Sequence, residues 1–141
     1  MNTHRRKNLQ RCVTHIYRMT TRIERFQTTS RMSKVVRAGG VLFLGGQTAN
    51  RSPSAFEDIT AQTKEVLSRV DGLLESAGAG RSALVSATIY LRDMRDFDAM
   101  NAVWEDWLPD GHAPARTTVQ AGMSADNLLV EVTVVAGAGS A

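Results

Sequence analysis

Residues 58–78 repeat apolar side chains at steps of three and four, and short β-prone runs stand on both sides of them. That switch of period constrains the fold more than any other feature. A helix with one apolar stripe must bury it against a neighbour, and the neighbours on offer are strands. Ile59, Thr63, Val66, Leu67, Val70, Leu73, Leu74 and Ala77 make the stripe. Ahead of it, Ser54-Ala-Phe-Glu57 has the S-x-x-E form of a capping box, in which two side chains satisfy two orphan backbone N–H groups. Asp58 suits the positive end of the helix dipole, and Gly78 and Gly80 predict the helix end.

Residues 20–26 alternate weakly and read as an edge strand. Residues 34–38 and 41–46 read as strands joined by a Gly39-Gly40 turn. Beyond the helix, 83–91 reads as a strand with Val85, Ala87, Ile89 and Leu91 on one face. Asp93 or Asp96 then caps a second helix carrying Phe97, Met100, Val103, Trp104 and Trp107, which Pro109 and Gly111 stop. Residues 115–121 and 128–136 are the last two strands. Hairpins therefore open and close the chain, with strands and helices interleaved between them. The implied class is α+β: one mixed sheet with both helices packed on one face. The strands are apolar on both parities, more than one helical layer can cover, so the reading predicts an oligomer whose sheets face each other across subunits.

Composition adds a few exclusions. Of 141 residues, eight basic groups and one acid fall in 1–31, a charge of +7; the total is +3, so residues 32–141 carry 3 − 7 = −4. Met19 opens MTTRIERF, so residues 1–18 read as a basic extension, disordered or mis-assigned, and 19–141 as one domain. The mildly acidic body offers neither a basic stripe nor an aromatic stacking platform, which argues against nucleic acid as the partner. One cysteine, Cys12, allows no internal disulfide and fits a cytoplasmic setting. His4, His15 and His112 have no metal-ligand spacing, so no metal is expected. No apolar run reaches 18 residues, the length a membrane-spanning helix needs.

Three polar residues sit where a structural strand has no need of them: Gln47 after Gly45-Gly46, Arg116 in APARTTV, and Glu131 within LLVEVTVV. Each has a bland alternative. Glu131 and Thr133 share parity and suit the wet face of an edge strand, and Arg116 suits a surface charge after a turn. If 115–121 and 128–136 pair antiparallel about a loop at 122–127, the midpoint of 116 and 131, 123.5, falls in that loop, so Arg116 and Glu131 would lie opposite one another. Such a pair is either a salt bridge or, in a cleft, a cation for an anionic ligand beside a carboxylate that handles a proton.

RMSKVVRAGGVLFLGGQ at 31–47, DITAQTKEVLSRVDGLLESAGA at 58–79, ATIYLRDMRDFDAMNAVWEDW at 87–107 and PARTTVQAGMSADNLLVEVTVVA at 114–136 resemble the YjgF/RidA family of reactive imine/enamine deaminases. The GQ after an apolar strand, the DFxxMN segment and the PAR…VE pair stand in family order, and the RMSK opening and the Trp104/Trp107 helix look like a side branch. The resemblance implies a chorismate-mutase-like six-stranded sheet with two helices, assembled as a homotrimer with clefts between subunits. It implies that Arg116 binds a substrate carboxylate, that Glu131 positions or activates water, and that Asn101 and the strand end at Gly45 and Gly46 belong to the site. Three positions depart from the family pattern: Met32 where it has tyrosine, Gly45 where it has serine, and Thr118 where it has cysteine. Loss of the tyrosine and serine hydroxyls removes polar recognition; the cysteine offers chiefly a backbone carbonyl, which Thr118 also has.

The reaction so implied is hydrolysis of a 2-imino or enamine acid to a 2-keto acid and ammonia, without cofactor. Two other readings remain: a trimeric, non-catalytic binder of small carboxylates using the same clefts, and action on RNA, since some relatives are described as ribonucleases.

Overall fold

The computed structural model describes residues 22–139. The reading of residues 1–18 as an extension, and of a domain starting at Met19, lies outside the described residues. Six strands form one sheet: β1 (Ile23–Thr28), β2 (Ser33–Ala38), β3 (Val41–Leu44), β4 (Leu84–Leu91), β5 (Ala115–Gln120) and β6 (Val130–Gly137), in the order β1-β2-β3-β6-β4-β5. Helix α1 (Ile59–Ser76) joins β3 to β4, and α2 (Phe97–Trp107) joins β4 to β5. The fold is mixed α+β, as the interleaved periods predict. No helix among the described residues is long and apolar enough to cross a membrane.

All eight stripe residues of α1 are buried. They pack with Met100 and Trp104 of α2 and with one parity of the strands, including Val35, Leu42, Leu44, Ile89 and Leu91, in a single core. On β6 the alternation is complete: Val130, Val132, Val134 and Ala136 are buried, and Glu131, Thr133 and Val135 lie half-buried on the other face. That other face carries exposed apolar side chains from edge to edge, with Ile23 51%, Phe43 47% and Val119 40% exposed.

Details of the helix starts differ from expectation. Ser54 and Glu57 form no capping box: Pro53–Phe56 is a short 3-10 turn, and extended backbone at Glu57 breaks it from the helix. Asp58 is the cap, its carboxylate accepting the Ala61 N–H at 3.0 Å. At the second helix the two aspartates divide the work. Asp93 accepts the Arg95 N–H at the head of a 3-10 turn, while Asp96 holds the cap position of α2 without a side-chain bond. On β4, Val85 is 56% exposed rather than buried, because a bulge between Leu84 and Ser86 shifts the register and gives Leu84 the inward position.

The larger correction concerns the end of the chain. β5 and β6 do not form a hairpin. β6 pairs antiparallel with β4 on one side, and β5 pairs parallel with β4 on the other. The reason is the crossover helix: a strand that follows a strand and a packed helix returns in the same direction, so α2 sets β5 parallel to β4 at the sheet edge. The segment between β5 and β6 then spans β4 rather than turning back on itself.

Gln62, on α1, is fully buried and was not singled out by the apolar stripe. Its Nε2 donates to the carbonyls of Ala55, Glu57 and Asn127, the last at 2.8 Å, and its Oε1 accepts the Leu129 N–H at 2.9 Å. One side chain thereby ties the turn before α1 to the segment that leads into β6.

Candidate active site

Glu131 stands on the open face of a central strand. A backbone bridge between Gln47 and Val132, with N···O distances of 2.8 and 3.0 Å, brings the strand end at Gly45-Gly46 beside it. The Gln47 amide folds back to donate to the carbonyls of Gly45 (3.0 Å) and Gly46 (3.3 Å), so this residue shapes the turn rather than reaching a ligand. The Glu131 side chain then crosses directly over Gly46. A Cβ at that position would overlap the Glu131 Oε1 and stand 3.0 Å from its Cδ, so glycine is what allows the carboxylate to lie there. Gly45 plays a parallel part for Met32: a Cβ there would come within 2.9 Å of Met32 Cε. Two of the three departures from the family pattern, Met32 and Gly45, are thus one packing event, in which a methionine occupies the space over a glycine.

Glu131 makes no hydrogen bond or ion pair among the described residues. Gly46→Ala should displace its carboxylate while leaving the strand intact. The expected outcome is a fall of about 10²-fold in any turnover that depends on this carboxylate, as a misplacement near 1 Å costs, with the melting temperature little changed. Unaltered turnover would mean that the carboxylate position does not matter.

Arg116 belongs to a different neighbourhood. It sits on the edge strand β5, its NH1 donating to Asn101 Oδ1 at 2.7 Å. Its guanidinium carbon lies 5.9 Å from the Phe97 ring centre and 5.7 Å from that of Trp104. All three partners come from α2, at the spacing that puts them on one helix face. They hold the guanidinium without neutralising it: among the described residues Arg116 has no carboxylate partner. Thr118, two residues along β5, has a buried Oγ1 with no hydrogen-bond partner. A cation with spare N–H donors and an unmet hydroxyl therefore stand next to each other on one strand.

The expected juxtaposition of Arg116 and Glu131 is not present within one chain. Arg116 is level with Ala87, which is level with buried Val134; Glu131 is level with Tyr90. The two residues are two strands apart, roughly 10 Å, and another three residues, roughly 10 Å, along the strand direction. They also face opposite sides of the sheet, Arg116 toward α2 and Glu131 toward the open face. The structure thus gathers the predicted residues into two sets: Arg116, Asn101 and Thr118 in one, and Glu131, Gly45, Gly46 and Met32 in the other.

Met32, Gly46 and Glu131 of the second set line a cleft of about 680 Å³ whose walls also carry Arg31, Lys34, Arg51 and Arg69. Nothing in the sequence pointed to this cluster, because the four cations come from three separate segments and only the fold assembles them. A slightly larger hollow, about 720 Å³, lies between α1 and α2. It contains none of the predicted site residues, and its Asp71, Arg81 and Trp107 are already bonded to one another. Arg81 grips Asp71 at 2.8 and 2.7 Å, and Trp107 Nε1 donates to the same carboxylate at 3.1 Å. The Asp71 hydrogen bonds hold the Arg81 guanidinium above its ordinary pKa, so it stays charged at any working pH.

A family model described as Endoribonuclease L-PSP matches residues 22–138. The chain belongs to the YjgF/RutC family. The RutC family protein YoaB of Escherichia coli K12 is 40% identical over 114 residues, 81% of this chain and 96% of that protein. The crystal structure of NMB1025, a YjgF family member from Neisseria meningitidis, superposes with a TM-score of 0.79 at 35% identity, covering 86% of this chain and 99% of that one. The Rid family protein YyfA of Yersinia pestis gives 0.70 at 28% identity, covering 78% and 90%. The family spans the sheet, both helices and both sets of site residues.

Proposed function

We propose that the protein hydrolyses reactive 2-imino or enamine acids to 2-keto acids and ammonia in the cytoplasm, without a cofactor, in clefts completed between copies of the chain. The observation that carries this is the state of Arg116: fixed by an amide and two aromatic rings, uncompensated by any carboxylate among the described residues, and able to form two parallel hydrogen bonds to a substrate carboxylate. Glu131 supplies the complementary group. A water held by its carboxylate attacks the imine carbon, forming a C–O bond while the C=N π pair moves to nitrogen. Glu131 takes a proton from the water and passes it to the nitrogen, giving a carbinolamine; it then moves the remaining hydroxyl proton to the amino group, and the C–N bond breaks as the C=O bond forms and ammonia leaves. Imines hydrolyse unaided in water, so orientation and one acid–base group meet the demand.

The two groups face opposite sides of one sheet, so the reading requires Arg116 of one copy to meet Glu131 of another. The apolar open face at Ile23, Phe43 and Val119 supports such an assembly, since a monomer would leave it in water. A homotrimer suits a closed ring of identical clefts.

The test is release of ammonia and keto acid from imino acids generated in place by an amino-acid oxidase. The expected result is a clear acceleration over the oxidase alone. No acceleration, with 2-keto acids still binding by calorimetry, would replace the enzyme with a carboxylate binder. The apolar Met32 over Gly45, where hydroxyl groups are missing, favours that second reading.

A further inference from the structure

The cleft beside Glu131 holds more positive charge than the proposed reaction needs. Arg31, Lys34, Arg51 and Arg69 all line it, against one carboxylate. This concentration stands out because residues 32–141 together carry −4. Three of the four, Arg31, Lys34 and Arg51, are exposed and have no ion-pair partner among the described residues.

Arg69 has a different task. It bonds Glu65 at 3.0 Å, the Thr48 carbonyl at 2.8 Å, and Asn50 through both Oδ1 at 2.8 Å and the carbonyl at 2.7 Å. This braces the loop that carries Arg51. Arg51 itself has φ of +59°, a left-handed conformation uncommon for a non-glycine residue. Such a conformation persists where its surroundings hold it, and here the braced loop keeps Arg51 at the cleft wall.

From this cluster we infer that the cleft takes a ligand with a second anionic group, a carboxylate or phosphate beyond the one Arg116 would bind, held by Arg51, Lys34 and Arg31. The substrate class becomes 2-imino acids with an acidic side chain. The inference rests on the reading above for the reaction, but the anion preference stands on the cleft alone. Met32 adds an apolar wall, which suits the short carbon chain between the two anionic ends.

The experiment has two arms on the full chain. Calorimetry compares 2-oxoglutarate and phosphonopyruvate, which carry two anionic groups, with 2-oxobutanoate, which carries one. Kinetics compares hydrolysis of the imino acids made by oxidases from aspartate or glutamate with those from alanine or leucine. Both arms are repeated on Arg51→Gln and on the double variant Lys34→Gln/Arg51→Gln. The expected result is a preference of about tenfold for the doubly charged ligand, shrinking at high salt and falling by about threefold for each charge removed, to near parity in the double variant. Whichever of the two dianions binds more tightly identifies the second group as carboxylate or phosphate. Equal binding of one- and two-charge ligands, or a preference untouched by the double variant, overturns the inference. So does tight binding of single-stranded RNA that the same substitutions abolish, with no preference among the small ligands. Hydrolysis without acidic preference sinks this inference and leaves the deaminase reading standing. Acidic preference in binding without hydrolysis does the reverse.

Discussion

Subunits carrying Arg116→Ala, mixed with subunits carrying Glu131→Gln, should recover an activity that neither has alone. Each substitution by itself is severe. Removing the guanidinium costs on the order of 2–5 kcal/mol of carboxylate binding where the pair is desolvated. Removing the proton acceptor forfeits roughly 10²–10⁴-fold in turnover while the ligand still binds. The two side chains leave opposite faces of one sheet with β4 between them, so the proposed cleft draws each from a different copy. In a randomly mixed ring a given cleft receives an intact arginine from one side and an intact glutamate from the other about a quarter of the time. Co-refolded mixtures should therefore regain about a quarter of the wild-type rate, rising from a background near zero. The measurement is keto-acid release after subunit exchange, with mass analysis confirming mixed assemblies. Mixed assemblies that stay inactive, or a wild type that is active as a monomer, would remove the composite cleft from consideration.

The largest expected loss of stability comes from Gln62→Leu. The substitution keeps the volume and the helix propensity but deletes every polar contact of a fully buried side chain. The Asn127 carbonyl and the Leu129 N–H then lose the partners they have at 2.8 and 2.9 Å. Leaving a buried donor and acceptor unmet costs 1–3 kcal/mol each, so a destabilisation of about 3 kcal/mol is expected. For a domain of this size that lowers Tm by roughly 10 °C. Because the same bonds set the entry into β6, activity at low temperature should also fall, through Glu131. Chemical denaturation and a thermal melt measure the first effect. A change below about 0.5 kcal/mol, the range of an ordinary surface substitution, would show that water or a shifted loop replaces the amide.

Much of the fold is legible in local pattern. The stripe of α1 predicts its buried apolar residues one by one, because a 3.6-residue period leaves a single way to face a core, but it misses the buried amide of Gln62. The opening strands follow from the Gly39-Gly40 turn, since adjacent antiparallel strands need only a short connection. The candidate residues Gln47, Arg116 and Glu131 were also visible, as polar side chains beside or inside apolar runs. Pairing at the end of the chain was not. Whether β5 turns back onto β6 or crosses to the far edge of β4 depends on where α2 packs, and no short-range signal near residues 122–127 encodes that. For the same reason the sequence placed Arg116 opposite Glu131, while the sheet sends them to different faces.

What the sequence by itself determined is most of the apolar residues that face the core, where the elements begin and end to within a turn, and which family the motifs resemble; the bulge that turns Val85 outward and the burial of Gln62 were not among them. Only the tertiary structure decided that the site residues fall into two sets. It alone gathered Arg31, Lys34, Arg51 and Arg69 around Glu131, and it alone made Gly46 the seat of the Glu131 carboxylate. The physical reason is range. Periodicity and capping are set by neighbours within a few residues, whereas the charge and shape of a cleft come from segments brought together only when the sheet closes its order.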